Sequence, residues 1–435
     1  MSLLPLGILG CIALLAMIIL SMPVGFALTL VGAVGFAIAI HNPATATHLL
    51  VSVFYENFTK YDLSIIPLFI LMGQVSYHSG ISRRLFDAAN CWLGRLPGGL
   101  GLATIGAAAA FGAVCGSGPA SAATMTAVAM PEMRRHKFNI DFGAGIIAAG
   151  GSLGIMVPPS VVFIVYAIMT ELSPATLFIA GILPSLMVTI LFGLYIFLIC
   201  RKRPELAPLG RSFTWRERFR SLTGITETLI LFTAVMGGMF TGWFTPTEAA
   251  AVGAGGSILI ASIQKKLTIK VLWQSLMETV RTSCMVLIIV AGALVFGRFL
   301  AVTNLPTYLA SGLAELPVPS WVTMAIILFF YMVSGCFVDA LALVLLTIPI
   351  FYPIVLTLGY DPVWFGIMVV MLVQMGVITP PVGVNVYVVS GIERTIPMQN
   401  IFRHALPFAG LLVIACIIMM LFPDIALALP RALGR

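Results

Sequence analysis

Apolar runs of about twenty residues dominate the chain, and short polar or basic joints separate them, which is the spacing of membrane-crossing helices. Residues 3–20 and 23–40 read as two spans. Residues 42–62 mix polar and apolar positions and read as an interfacial helix. Residues 63–77 read as a third span, and 82–96, carrying Arg83, Arg84, Asp87 and Arg95, as a helix lying on the membrane surface. Residues 139–170, 175–200, 221–240, 247–264, a segment ending near Arg298, 363–392 and 405–422 supply the later spans. A surface helix is expected over 303–314 and a basic inner helix before the last span.

Two long apolar segments do not fit a single crossing. Residues 97–131 have basic residues at both ends, so both ends belong on one side, and Cys115-Gly-Ser-Gly-Pro-Ala-Ser121 at the centre is a turn sequence. A re-entrant hairpin turning at 116–119 fits this, and two ordinary spans with a short outer loop would satisfy the charges as well. Residues 319–353 repeat the pattern with acidic flanks, Glu315 and Asp361, and so open to the opposite side.

Proline positions explain the recurrence. Pro97, Pro131, Pro158 and Pro159 return at one fixed offset as Pro319, Pro353, Pro380 and Pro381 (319 − 97 = 222). Pro23, Pro174 and Pro184 return one position further on, as Pro246, Pro397 and Pro407 (246 − 23 = 223). The chain therefore reads as a first repeat (1–200), a basic linker (201–221), a second repeat (222–423) and a tail (424–435). Five crossings precede the linker, so the second repeat is inverted relative to the first. The expected fold is an all-α polytopic membrane protein, with re-entrant hairpins and broken helices meeting near the midplane, the architecture of secondary transporters.

Composition agrees: 60% of residues are hydrophobic and 9% charged, with a mean hydropathy of +1.09, outside the range of soluble domains. The +7 net charge does not point to nucleic acid. Eighteen of the 23 Lys and Arg fall in short clusters and none lies between Phe299 and Glu393, a distribution that marks cytoplasmic loops. That orientation puts both termini outside and 201–221 inside. The seven cysteines show no ligand spacing, so free thiols and no transition-metal site are expected.

Candidate chemistry sits at the breaks. Gly151-Ser-Leu-Gly-Ile-Met-Val-Pro-Pro-Ser160 and Gln374-Met-Gly-Val-Ile-Thr-Pro-Pro-Val-Gly-Val-Asn385 both interrupt apolar runs with paired prolines, which remove backbone donors and stop a helix. Unwound carbonyls suit a cation, and helix N-termini suit an anion. Gly116, Ser117, Ser121, Ser152, Asp339, Gly376, Thr379 and Asn385 are the candidate sodium ligands. Pro158, Pro159, Ser160, Pro380 and Pro381 are the candidate substrate contacts. Each hydroxyl could instead bond its own preceding turn. Asp339 is a carboxylate inside an apolar segment, and the proline offset maps Ser117 onto it (339 − 117 = 222). Glu227, Glu248 and Glu278 lie near span ends, where structural roles are expected.

Gly116-Ser-Gly-Pro-Ala-Ser121, Pro131-Glu-Met133, Phe244-Thr-Pro-Thr-Glu-Ala-Ala250, Asp339 and the run from Gly376 to Asn385 together resemble the large membrane subunit of a tripartite ATP-independent periplasmic (TRAP) transporter. The resemblance covers essentially the whole chain. It implies a bacterial inner-membrane symporter driven by sodium, with an elevator motion. It also implies a separate small membrane subunit and a periplasmic substrate-binding protein delivering a dicarboxylate, sialic acid or similar acid. By the same resemblance, the tip at Ser117–Ser121 with the first break would form one sodium site, and Asp339 with 376–385 the other. A stand-alone sodium–anion symporter of the same superfamily is the alternative. No phosphate loop, His-Glu-x-x-His or Gly-x-Ser-x-Gly motif is present, so no enzyme activity is expected.

Overall fold

The computed structural model describes residues 3–208, 210, 213–314 and 319–434; Glu315, read as an acidic flank, lies outside them. The described residues form helices and no strands. The first half contains α1 (Leu3–Ile19), α2 (Val24–Ile40), α3 (Pro43–Thr59), α4 (Ile65–His78), α5 (Ile81–Leu93), α6 (Gly99–Cys115), α7 (Gly118–Arg135), α8 (Ile140–Met156), α9 (Val161–Thr170) and α10 (Pro174–Lys202). The linker ends in α11 (Trp215–Thr223). The second half contains α12 (Thr226–Phe232), a π turn (Thr233–Gly237), α13 (Gly238–Phe240), α14 (Pro246–Ile263), α15 (Ile269–Thr303), α16 (Leu305–Ala314), α17 (Ser320–Ser334), α18 (Ala340–Thr357), α19 (Pro362–Gly376), α20 (Val384–Ile392), α21 (Met398–Leu421) and α22 (Asp424–Ala432). Six of these segments are long and apolar enough to span a bilayer, or eight if each bent pair is one span.

Helix starts recur at the proline offset. α2 and α14 (246 − 24 = 222), α7 and α18 (340 − 118 = 222), and α8 and α19 (362 − 140 = 222) all begin at equivalent positions. Their caps recur as well. Asn139 Oδ1 accepts from the Phe142 amide at 2.9 Å, and its equivalent Asp361 accepts from Val363 at 2.8 Å and Trp364 at 3.2 Å. Such side chains satisfy donors that the first helical turn leaves open. Elsewhere Thr245 and Glu248 close a reciprocal capping box at the start of α14.

Two groups of helices result. In one, α15 packs along α2 and α4, and α14 packs on α4. Close approach there relies on glycine: a Cβ on Gly32 would sit 2.7 Å from the Phe296 amide nitrogen. In the other, α8 and α19 are the centre, buried continuously from Phe142 to Met156 and from Trp364 to Gly376. Around them the halves exchange segments. α9 packs on α18 of the second half, and α20 packs on α7 of the first.

Several boundaries differ from the sequence reading. The first tip is only Gly116–Ser117, because α7 already starts at Gly118 with Pro119 in its first turn. The basic inner helix and final span are one helix, α21, since Pro407 is accommodated inside it. The tail folds as α22 against α10 and α19. The segment expected as a span over 221–240 is bent by 51° between α11 and the helix that follows.

Candidate functional site

Each hairpin tip rests on the broken helix of its own half. A Cβ on Gly154 would lie 2.7 Å from the Ser117 carbonyl oxygen, and one on Gly116, whose φ is +62°, would lie 2.9 Å from the Pro159 carbonyl. In the second half Gly376 abuts the Gly335 backbone, and the Val382 amide donates to the Cys336 carbonyl at 3.3 Å. Bulkier residues would separate tip from break, which explains these glycines. The Pro158–Pro159 and Pro380–Pro381 peptide bonds are both cis.

Where the halves meet, Gln374 Nε2 donates to Ser152 Oγ at 3.1 Å. These residues occupy equivalent positions (374 − 152 = 222), so the bond lies where a two-fold relation between halves would pass. Asn385 Nδ2 donates to the Ala148 carbonyl at 3.0 Å, while its Oδ1 lies 3.5 Å from the Cβ position of Gly118. The Asn385 backbone amide donates to the Val377 carbonyl at 3.0 Å, so its backbone closes the second break while its side chain turns to the first tip. It belongs to the first turn of α20, which crosses onto α7 and α8.

The hydroxyls divide into two kinds. Ser152 donates to the Ala149 carbonyl at 2.7 Å, Thr379 to Met375 at 2.7 Å, and Ser160 to the Ile155 carbonyl across the break. Ser117 Oγ caps α7 by accepting from the Ala120 amide at 3.5 Å, and Asp339 caps α18 by accepting from Leu341 at 3.1 Å. By contrast Ser121 Oγ, Gln374 Oε1 and Asn385 Oδ1 are buried with no hydrogen-bond partner. Buried polar atoms are rarely left so. Ser121 and the Asn385 side chain lie at the first tip, and Gln374 bonds Ser152 of the first broken helix, while Ser76, Ser275 and Ser283 elsewhere are unpartnered as well. Ser121 borders the same break, its Cβ 3.3 Å from the Cβ position of Gly154.

A cavity of about 190 Å³ opens between the tips, lined by Ser117 and Pro119 from the first hairpin and Asp339 and Leu341 from the second. Facing them are Gln74 of α4 and Thr282 of α15. Among the described residues, Asp339 is the only charged side chain on its wall. Of the paired prolines none lines it, and neither does Ser160, which is buried behind the tip.

Residues 11–425 match the family described as the tripartite ATP-independent periplasmic transporter, DctM component. The chain belongs to that family. It is 35% identical over 398 residues to the C4-dicarboxylate TRAP transporter large permease protein DctM of Pseudomonas aeruginosa, covering 91% of this chain and 92% of that one. It is 33% identical over 418 residues to the sialic acid TRAP transporter large permease protein SiaM of Vibrio cholerae, covering 96% of each. In fold it is similar to the crystal structure of the Alcanivorax borkumensis YdaH transporter, with a TM-score of 0.60 at 15% identity, covering 90% of this chain and 89% of that one.

The DctM-family chain is thus a multi-pass transporter subunit and not an enzyme. Three of its site-region residues escaped the sequence reading. Gln74 had a weak signal, an amide inside the apolar run 63–77. Thr282 had none, being one polar residue in the mixed start of a long helix. Gln374 stood at the head of the second broken motif, but only the folded chain brings it against Ser152. The span-end acids have structural partners: Glu227 takes Arg84 at 3.0 Å and Gln264 at 2.6 Å, and Glu278 lies 3.3 Å from His78.

Proposed function

We propose that this DctM-type subunit is a sodium-coupled importer of a small organic acid. In this reading the two hairpins and broken helices move as a carrier past α2, α4, α14 and α15. A separate small membrane subunit and a periplasmic binding protein complete the system, the latter delivering the acid. Both termini face the periplasm and 201–221 the cytoplasm, in a bacterial inner membrane.

The observation that carries the reading is three buried oxygens without partners, Ser121 Oγ and Asn385 Oδ1 at the first tip and Gln374 Oε1 on the residue that bonds Ser152 of the first broken helix. Neutral oxygens at a helix break suit an alkali cation, and the nearby helix C-terminal carbonyls at Cys115 and Met156 add partial negative charge. Asp339 at the second tip supplies the carboxylate for a second cation. The acid then lies between the tips, against the N-termini of α7 and α18. With no cationic side chain among the described residues of the cavity wall, bound sodium offsets the substrate's charge. Each charge moving inward gains about 2.3 kcal/mol per 100 mV, so sodium in excess of the substrate charge drives accumulation.

The test is sodium titration of uptake by proteoliposomes holding the membrane complex, with substrate-loaded binding protein outside. Ser121→Ala and Asn385→Ala should each raise half-saturating sodium about ten-fold or more, at unchanged assembly. Unchanged titrations in both variants would remove the first site. Full uptake by this chain alone would favour a stand-alone symporter.

A further inference from the structure

The cavity wall opposite the hairpin tips is built from two helices of the other group, and its polar side chains are left without side-chain partners among the described residues. Gln74 lies on α4 one turn from Ile70, and Thr282 lies on α15 one turn from Met285; all four face the cavity. Neither the Gln74 amide nor the Thr282 hydroxyl makes a side-chain hydrogen bond to a described residue, whereas the neighbouring Asn57 and Thr279 do. Both are only partly buried, so they open onto the cavity. A primary amide offers two donors and an acceptor, and a hydroxyl one donor and two acceptors. Ile70 and Met285 are apolar and close the space beside them.

Size restricts what can sit there. At about 190 Å³ the cavity is smaller than the roughly 300–1,000 Å³ typical of drug-sized ligand sites. A volume of that size favours a compact acid of a few carbons over a nine-carbon sugar acid.

We propose that Gln74 and Thr282 are specificity-determining residues: they hydrogen-bond the end of the substrate remote from the hairpin tips, selecting a compact acid with a second polar oxygen function, such as a second carboxylate. The assignment rests on the transport reading above and deepens it. The tips take one carboxylate with sodium, and the α4–α15 wall takes the other end. A site built to hydrogen-bond a substrate group rejects analogues lacking it far more strongly than it rejects a change in apolar length.

The test measures binding directly, without the binding protein. The purified complex of this chain with its small membrane subunit is titrated with succinate, butyrate and N-acetylneuraminate in sodium and in potassium chloride, following the thermal midpoint, which rises with ligand occupancy. The expected order in sodium is succinate well ahead of butyrate, with no shift from N-acetylneuraminate. Gln74→Ala and Thr282→Val should each reduce the succinate-over-butyrate affinity ratio about ten-fold, leaving the midpoint without ligand and the sodium dependence of butyrate binding unchanged. Equal loss for both acids, or an unchanged ratio, would overturn the assignment, as would tight N-acetylneuraminate binding. If sodium promotes none of the three acids in the wild-type complex, the assignment fails, and the transport reading is then decided by the sodium titration of uptake. Sodium-promoted binding with an unaltered ratio in the variants sinks only the assignment to Gln74 and Thr282.

Discussion

Gly376 shows how little room the second tip leaves. Its Cα lies against the Gly335 backbone, so any side chain must push the hairpin off the break. Gly376→Ala should destabilise the protein by about 1–3 kcal/mol, the usual cost of forcing a methyl into a packed site. A lowered thermal midpoint in detergent is the expected result, and an unchanged midpoint would mean the tip can lift freely. Asp339 poses a different question, since its carboxylate both caps α18 and faces the cavity. Asparagine can still cap. Asp339→Asn should therefore weaken the sodium dependence of transport while the thermal midpoint stays within a degree or two. A large fall in midpoint with normal sodium titration would make it a cap and nothing more.

At the scale of elements, Asn139, Asp361 and Thr245 act as caps in the structure, although Asp361 reads in the sequence only as an acidic flank; capping needs only local spacing. Thr245→Ala should cost about 1 kcal/mol by opening the capping box, read as a lower midpoint, and Thr245→Ser should restore most of it. Prolines and glycines at 154, 158, 159, 376, 380 and 381 likewise exposed both breaks, since each acts on its own backbone. What depends on distant neighbours was not legible. α20 reaching across to α7, Asn385 joining the first tip, and Gln74 with Thr282 facing the tips all arise from packing between segments remote in the chain. The tail is the same kind of case: residues 424–432 are a helix with a buried face on Ala426, Leu427 and Pro430, formed against α10 and α19.

For the whole molecule, the recurrence of helix starts at one fixed offset ties sequence to architecture more firmly than any single motif. On the proposed inverted arrangement, with an odd number of crossings before the linker, Arg95 and Asp361 are expected to face opposite sides of the membrane. A cysteine at Arg95, placed in a variant with the native thiols replaced, should react with an impermeant maleimide only after the cells are opened. One at Asp361 should react in intact spheroplasts. Labelling of both from the same side would contradict the inverted arrangement.

The most direct measurement is net accumulation of succinate in proteoliposomes containing the full membrane complex and loaded binding protein, with sodium outside and a potassium diffusion potential negative inside. Sodium-driven, voltage-stimulated accumulation above the outside concentration, abolished when sodium is replaced by choline, is the predicted result. Accumulation that persists in choline, or that ignores the potential, would contradict it.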